Sequence, residues 1–422
     1  MRFLYTTVLY LLTPLVLIRL AVRGVRAPAY WQRWSERFGF VPRLQGERPL
    51  WVHAVSVGEV QAALPLVRAL RERYPARPLL VTTSTPTGAA RVQALFDDDV
   101  YHLYLPYDLP DAVARFLTRT RPRIALIMET EVWPNLFRGC RRRGIPLLMV
   151  NARLSERSAA GYRKLARLTR QTLADVTAVA AHAAQDAERL KSLGAPAERV
   201  QVTGNIKFDV RLPPSLLEQA AALRRQCGTD RPVWIAASTH EGEDEQVLAA
   251  FEVVRSRLPE TLLILVPRHP ERFTRVTALC KRAGYRTVAR SQDVPCNAQT
   301  DVFVGDTMGE LPLFYAAADV AFVGGSLVPS GGHNPLEPAA VGVATLFGPN
   351  MFNFDEISRL LLNAGAARQI NDAGQLAASV IDWLGDAPKR NAVGDQGRAV
   401  VAANRGALEA VLGMVGKSLS ER

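Results

Sequence analysis

From residue 50 onward, short apolar runs alternate with longer stretches whose apolar residues recur at helical spacing. The runs fall at 50–54, 79–83, 101–105, 124–128, 147–150, 176–180 and 200–202. They return at 233–237, 262–266, 302–304, 320–323 and 345–347. Runs this short and this continuous in Val, Ile, Leu and Ala fit strands buried on both faces, and segments such as 61–74 and 87–96 fit the helices that cover them. The alternation pauses once, at Phe208-Asp209-Val210-Arg211-Leu212-Pro213-Pro214, which reads as a linker. The pattern predicts an α/β protein of two tandem Rossmann-like domains, with ligand groups at the carboxyl ends of the strands.

Ahead of the first strand, residues 3–18 form an apolar run interrupted by Thr6, Thr7, Thr13 and Pro14 and closed by Arg19. A spanning helix takes about 17–25 residues, so this is a short span extended by its flank. Ala27-Pro28-Ala29 resembles a signal cleavage site. Arg19, Arg23 and Arg26 precede it, however, and Arg33 and Arg37 follow. Positive charge on the distal side holds that side in the cytoplasm, which favours an uncleaved anchor over residues 1–27. A helix lying in the interface is the alternative. Tyr30, Trp31, Trp34 and Phe38, interleaved with Arg33 and Arg37, suit a headgroup layer.

At 422 residues the chain exceeds one ordinary core, and its net charge of +12 asks for an acidic partner. There is no zinc-ligand spacing and no nucleic-acid module, so phosphorylated substrates and anionic membrane lead and nucleic acid is not expected. The four cysteines, Cys140, Cys227, Cys280 and Cys296, form no CxxC pair and read as thiols of a reducing compartment.

Candidate chemistry concentrates at the predicted strand ends. Residues 323–338, VGGSLVPSGGHNPLEP, hold four glycines and three prolines between a strand and a helix. Such a bend can turn backbone N–H groups toward an anion, although turn geometry alone also uses glycine. Within it Asn334 can cap the helix, Pro335 suits its first turn, and Glu337 can bind a sugar hydroxyl. Glu59 follows the first strand and is either a helix N-terminal charge partner or a general base. Glu129 and Glu131 follow another strand beside Trp133, where one of the two can be raised in pKa. Lys207 lies near the linker. Arg268 directly follows an apolar run and offers a planar fork to phosphate or carboxylate. The N–H groups of Met308, Gly309 and Glu310 open a further helix.

Six stretches carry a resemblance: residues 52–59 (VHAVSVGE), 128–135 (METEVWPN), 203–209 (TGNIKFD), 266–273 (VPRHPERF), 305–311 (GDTMGEL) and 323–339 (VGGSLVPSGGHNPLEPA). Together they resemble the 3-deoxy-D-manno-octulosonic acid (Kdo) transferases of Gram-negative lipopolysaccharide synthesis. The resemblance implies an inverting glycosyltransferase of the two-Rossmann GT-B type, moving Kdo from CMP-Kdo to the 6′-hydroxyl of a tetraacylated lipid A precursor at the cytoplasmic face of the inner membrane. It implies Glu59 as the general base, with Glu129 and Lys207 stabilising the transition state. CMP binding would fall to Pro267, Arg268, Met308, Gly309, Glu310, Asn334, Pro335, Leu336 and Glu337. No metal or other cofactor is expected. Residues 28–210 would form the acceptor domain, and 211–422 the donor domain with its C-terminal helices. Two competing readings remain at this point. One is another GT-B enzyme acting on a lipid-linked acceptor, which would need basic groups for the two phosphates of its donor. The other is a non-catalytic, membrane-anchored assembly factor that binds a nucleotide, for which Glu59 is dispensable.

Overall fold

A computed structural model describes residues 1–210, 212–292 and 294–420. The chain forms two compact units, residues 1–209 with 405–422, and residues 210–404. Arg211, inside the expected linker, lies outside the described residues.

The first unit is built on a seven-stranded parallel sheet in the order β3-β2-β1-β4-β5-β6-β7. Its strands are β1 (Leu50–His53), β2 (Leu79–Thr83), β3 (Tyr101–Tyr104), β4 (Ile124–Met128), β5 (Leu147–Ala152), β6 (Ala178–Ala181) and β7 (Val200–Val202). Every residue of β1, β2, β4 and β5 is buried, which explains why the sequence shows runs there and not alternation. Leu50 lies opposite Leu79 on one side and Ile124 on the other. Leu50 and Val52 face the core shared with α2 (Val57–Arg73), and Trp51 faces the opposite layer. The order reverses between β1 and β4, the switch point at which open α/β sheets bind ligands.

The second unit repeats the design in the order β10-β11-β9-β8-β12-β13-β14. Here β8 is Val233–Thr239, β9 Leu262–Pro267, β10 Thr287–Ala289, β11 Val302–Val304, β12 Val320–Val323, β13 Ala344–Phe347 and β14 Ala367–Gln369. The expected strands are all present. The two edge strands β10 and β14 are additional, each 3 residues long, and β14 carries Arg368. Short, partly polar edges resist further pairing and for the same reason leave no apolar signature.

The C-terminus departs from the expected division. Residues 405–422 do not stay with the second unit but return to the first. The helix Ala407–Ser420 buries Leu408, Val411, Leu412 and Val415 in one core with Val60, Ala63 and Val67 of α2. The Asp209 carboxylate fixes its start, accepting from the Gly406 N–H at 2.7 Å and the Leu408 N–H at 2.8 Å. An amphipathic helix needs an apolar partner, and the sequence does not say which of two similar sheets supplies it.

The apolar N-terminal stretch is a single helix, α1 (Arg2–Arg26). Its first three turns are tied to the first unit. Arg2 pairs with Asp175 at 3.1 Å, the Tyr5 hydroxyl donates to Asp108 at 3.0 Å, and the Tyr10 hydroxyl donates to Asp111 at 2.6 Å. Leu4, Val8, Leu11, Leu15, Ile18, Val22 and Val25 are exposed. Their spacing alternates between four and three residues, so they make one continuous apolar stripe. Arg37, which suited a headgroup layer, is instead only 4% exposed. Its guanidinium lies 4.3 Å from the Tyr104 ring centroid and donates to the Ser84 carbonyl at 3.1 Å.

Candidate functional site

In the first unit, β1 ends at His53 and the chain turns through Ala54 and Val55 into α2, whose N-cap is Ser56. Glu59 is the third helical residue. Its carboxylate accepts from the Val55 N–H at 2.8 Å and the Ser56 hydroxyl at 3.1 Å, and its own N–H reaches the Ser56 oxygen at 3.5 Å. This is a variant of the capping box in which the carboxylate reaches the N–H one residue before the N-cap, and it fits the helix N-terminal role, one of the two alternatives the sequence leaves open for Glu59. The same carboxyl is nevertheless held up to about 7. Burial is the main cause, and the charges of Glu129 and Glu131 add to it, while the Val55 and Ser56 hydrogen bonds oppose it. A carboxyl that exchanges its proton near neutrality can act as a base there.

Glu129 follows β4 in the left-handed region, φ 53, with its N–H donated to the Val150 carbonyl at 2.9 Å. Asn151, in the next strand, also has positive φ, 54, and Ser238 in the second unit has φ 57. L residues pay roughly 1–3 kcal/mol to stay in such a conformation, and residues so held concentrate where function needs them. Glu131 is pushed up to about 7, by burial first and then by the charge of Glu129. Lys207 lies in the turn Ile206–Phe208, its N–H accepted by the Asn205 side chain at 3.0 Å. Ile206 packs into the α2 core, and its N–H is accepted at 3.2 Å by the side chain of Asn151, which is 4% exposed. Glu59, Glu129 and Lys207 therefore all stand at the carboxyl edge of one sheet. Asn151 holds the Lys207 turn from the next strand, a role the sequence does not signal beyond an amide closing an apolar run.

The second unit corrects the expected use of its glycine-rich segment. The N–H groups of Gly325, Ser326 and Leu327 do face a carboxylate, but it is the protein's own. Glu243, fully buried, accepts from them at 2.6, 3.0 and 2.9 Å, and from the His240 N–H at 2.9 Å. An internal anion fills the amide nest, so only the later part of the segment remains to meet a ligand. There Gly332 has φ 74, and an added Cβ would lie 2.2 Å from the Met351 sulfur. Asn334 accepts from the Leu336 N–H at 3.1 Å and donates to Glu337 at 3.3 Å. Pro335 takes the N-cap place ahead of the helix Leu336–Val341, one residue before the expected first turn. Burial raises the Glu337 carboxyl, opposed by Asn334 and by the positive charge of Arg268.

Pro267 ends β9, and Arg268 follows with its N–H on the Thr239 carbonyl at 3.0 Å. The Arg268 guanidinium makes no hydrogen bond or ion pair with another described residue, in contrast to Arg272, which is bound to Asp244. Met308 is 67% exposed and Gly309 has φ 86 in the turn ahead of the helix Leu311–Ala316. Glu310 is paired with Arg290 at 2.7 Å, which holds its carboxyl below the usual range. The second unit thus gathers one unengaged guanidinium, a raised carboxyl and an exposed turn at the ends of β9, β11 and β12. Beside them lie His240, His269 and His333.

Residues 32–210 match the model of the family described as 3-Deoxy-D-manno-octulosonic-acid transferase (kdotransferase). The chain is 43% identical over 417 residues to a 3-deoxy-D-manno-octulosonic acid transferase of Haemophilus influenzae, with 98% of each chain covered. It is 40% identical over 428 residues to one of Bordetella pertussis, covering 97% of this chain and 98% of the relative. Among solved structures it is similar to the UDP-GlcNAc 2-epimerase of Neisseria meningitidis bound to UDP-GlcNAc, with a TM-score of 0.53 over 88% of this chain and 99% of that one. At 13% identity that likeness is one of fold, the GT-B-like pairing of two Rossmann-like domains.

Proposed function

The chain belongs to the Kdo transferase family and is a glycosyltransferase, and from that premise we propose that it transfers Kdo from CMP-Kdo, with inversion, to the 6′-hydroxyl of a tetraacylated lipid A precursor. The observation that carries the reading is Glu59, a carboxyl held near 7 at the switch point of the first sheet with two further carboxylates beside it. In the proposed step Glu59 takes the proton of the acceptor hydroxyl as its oxygen attacks C2 of Kdo. The bond from C2 to the phosphate oxygen breaks, and CMP departs with the electron pair. Glu129 and Lys207 serve the developing charges at the same sheet edge.

The first unit is the acceptor side of this reading and the second, ending at residue 404, the donor side. Arg268 suits the CMP phosphate because its fork is unengaged and planar. Glu337 with Asn334 suits the ribose hydroxyls, and the turn Met308-Gly309-Glu310 offers backbone groups to the base. Pro267, Pro335 and Leu336 shape these loops.

On this reading the transfer belongs to lipopolysaccharide synthesis, and α1 supports a place on the cytoplasmic face of the inner membrane. Polar ties from Arg2, Tyr5 and Tyr10 hold the helix's N-terminal half against the first unit, while the apolar stripe faces outward. A helix so tied lies along the bilayer surface rather than through it, with Arg19, Arg23 and Arg26 available to anionic headgroups. The test is transfer of labelled Kdo from CMP-Kdo, generated in situ, to the tetraacyl precursor in detergent micelles. A product one or more Kdo masses heavier supports the reading. No product from folded protein that binds CMP sinks the acceptor assignment, and turnover of a nucleoside diphosphate sugar instead sinks the donor.

A further inference from the structure

His240 follows β8, and His333 stands in the loop ahead of the helix Leu336–Val341. Their Nε2 atoms are 2.8 Å apart, their ring planes differ by 13°, and their centroids are 5.1 Å apart. That centroid distance equals the N···N distance plus one ring radius at each end. The rings therefore lie end to end in one plane and share an in-line N–H···N hydrogen bond. One Nε2 donates and the other accepts, so only one of the two facing nitrogens holds a proton. A proton added to the neutral pair goes to an outward Nδ1 and makes the shared bond charge-assisted. A second would set two N–H groups against each other, so the pair carries a charge of 0 or +1 while the contact lasts.

The surroundings fix the pair and bias its charge. An added Cβ on Gly325 would lie 3.0 Å from His333 Cδ2 and 3.3 Å from His240 Cδ2, and the Gly325 N–H is held by Glu243 at 2.6 Å. The groups that bear on His240 are the Glu243 carboxylate, the His269 ring with its centroid at 5.3 Å, and the guanidiniums of Arg268 and Arg272. His269 has Glu271 at 4.0 Å, and Arg272 is bound to Asp244. Burial and the neighbouring positive charges hold His240 below its usual range, with Glu243 opposing them. Burial and the neighbouring guanidiniums thus favour the neutral form of His240 when no anion is bound.

We propose that the His240–His333 pair is a proton acceptor coupled to the nucleotide: when a phosphate arrives at Arg268, the pair takes up one proton and meets it as a cation. This rests on the reading of the second unit as the CMP-Kdo site. It adds two residues and a proton to that site. As the bond from C2 breaks, the phosphate gains a negative charge, and the pair's positive charge is already in place to oppose it.

The test is calorimetric titration of the full chain in detergent with CMP, at about pH 7.5, in buffers of different ionisation enthalpy. Cytidine serves as the probe without a phosphate. The phosphate of CMP loses its second proton near about pH 6, and beside the Arg268 guanidinium it stays a dianion, so a proton taken up at the higher pH goes to the protein. The expected result is uptake of close to one proton with CMP and none with cytidine, and a Kd that tightens about tenfold per unit as pH falls from about 8 to about 7. His240→Gln and His333→Gln each abolish the uptake, and His269→Gln keeps it. CMP binding without uptake in the wild type overturns the inference alone, and the wild-type measurement stands even where a variant fails to fold. Uptake that persists in both pair variants, or that equals itself with cytidine, overturns it as well. No CMP binding at any pH removes the nucleotide reading and the inference with it.

Discussion

Replacing Glu59 by glutamine separates the two jobs its side chain holds. As the third residue of α2 it accepts from the Val55 N–H and the Ser56 hydroxyl. Glutamine keeps one carbonyl oxygen for Val55, and the Ser56 hydroxyl can turn to accept from the new amide, so the capping box survives. Alanine loses both bonds, at about 0.5–2 kcal/mol for a lost cap. In a unit of this size that is a fall of about 2–4 °C in Tm per kcal/mol. The proton acceptor, by contrast, is lost in either variant. General-base removal lowers the rate by about 10²–10⁴. The expected pattern is a glutamine variant with wild-type Tm and an alanine variant with a lower one, both slower by that factor in Kdo transfer. The wild-type pH profile supplies a second reading. The base acts ionised, and burial with the charges of Glu129 and Glu131 places its titration at about 7. Activity should therefore rise about tenfold per pH unit below about 7 and level off above it. Glu131→Gln removes one of the raising charges and should move the limb to lower pH. A glutamine variant with more than about a tenth of the wild-type rate, or a limb at the ordinary carboxylate range, refutes the assignment and leaves Glu59 as a cap alone.

Glu129→Gly removes a left-handed residue at φ 53, and should leave Tm unchanged or raise it by about 2–4 °C while lowering transfer, a stability gain bought with activity that differential scanning calorimetry and the transfer assay read together. Glu243→Gln turns an amide NH₂ toward N–H groups that now meet carboxylate oxygens. The cost is about 2–5 kcal/mol in denaturant unfolding, with a weaker CMP complex, and an unchanged midpoint would show that the nest does not depend on the charge. Ending the chain at Asn404 strips Leu408, Val411, Leu412 and Val415 from the first core, each worth about 1.5–3 kcal/mol. Limited proteolysis should then digest the first unit while CMP binding persists in the second; full transfer activity in the truncated chain would contradict the observed division.

Both sheets were legible in the sequence because buried parallel strands must be apolar along their whole length. Ile124–Met128 and Leu262–Pro267 announce themselves with no reference to partners. The edge strands Thr287–Ala289 and Ala367–Gln369 do not, since an edge is paired on one side only and kept short. The return of the C-terminal helix was hidden for another reason: amphipathicity states that a face must be covered and is silent about by what. Strand-end positions likewise singled out Glu59, Glu129, Lys207 and Arg268 as polar residues where a sheet offers its ligands. That Glu131 is raised beside Glu129 follows from burial that only the fold supplies. The His240–His333 contact joins residues 93 apart in the chain, and no local pattern records it.

The glycine-rich segment shows why a motif states a capacity and not an occupant. Glycines let three successive amides converge, and converging amides bind whatever anion reaches them first. Glu243 is covalently present and already desolvated, so it outcompetes any dissolved phosphate for the nest at Gly325, Ser326 and Leu327. The consequence on the proposed reading is chemical. Backbone dipoles cannot be switched off, and a site made of them alone would hold the more highly charged product, CMP, more tightly than the donor. With the nest closed, the attraction rests on Arg268 and on an imidazole pair that can give its proton back. That arrangement ties the affinity for phosphate to a proton, and lets the departing nucleotide loosen as the proton leaves.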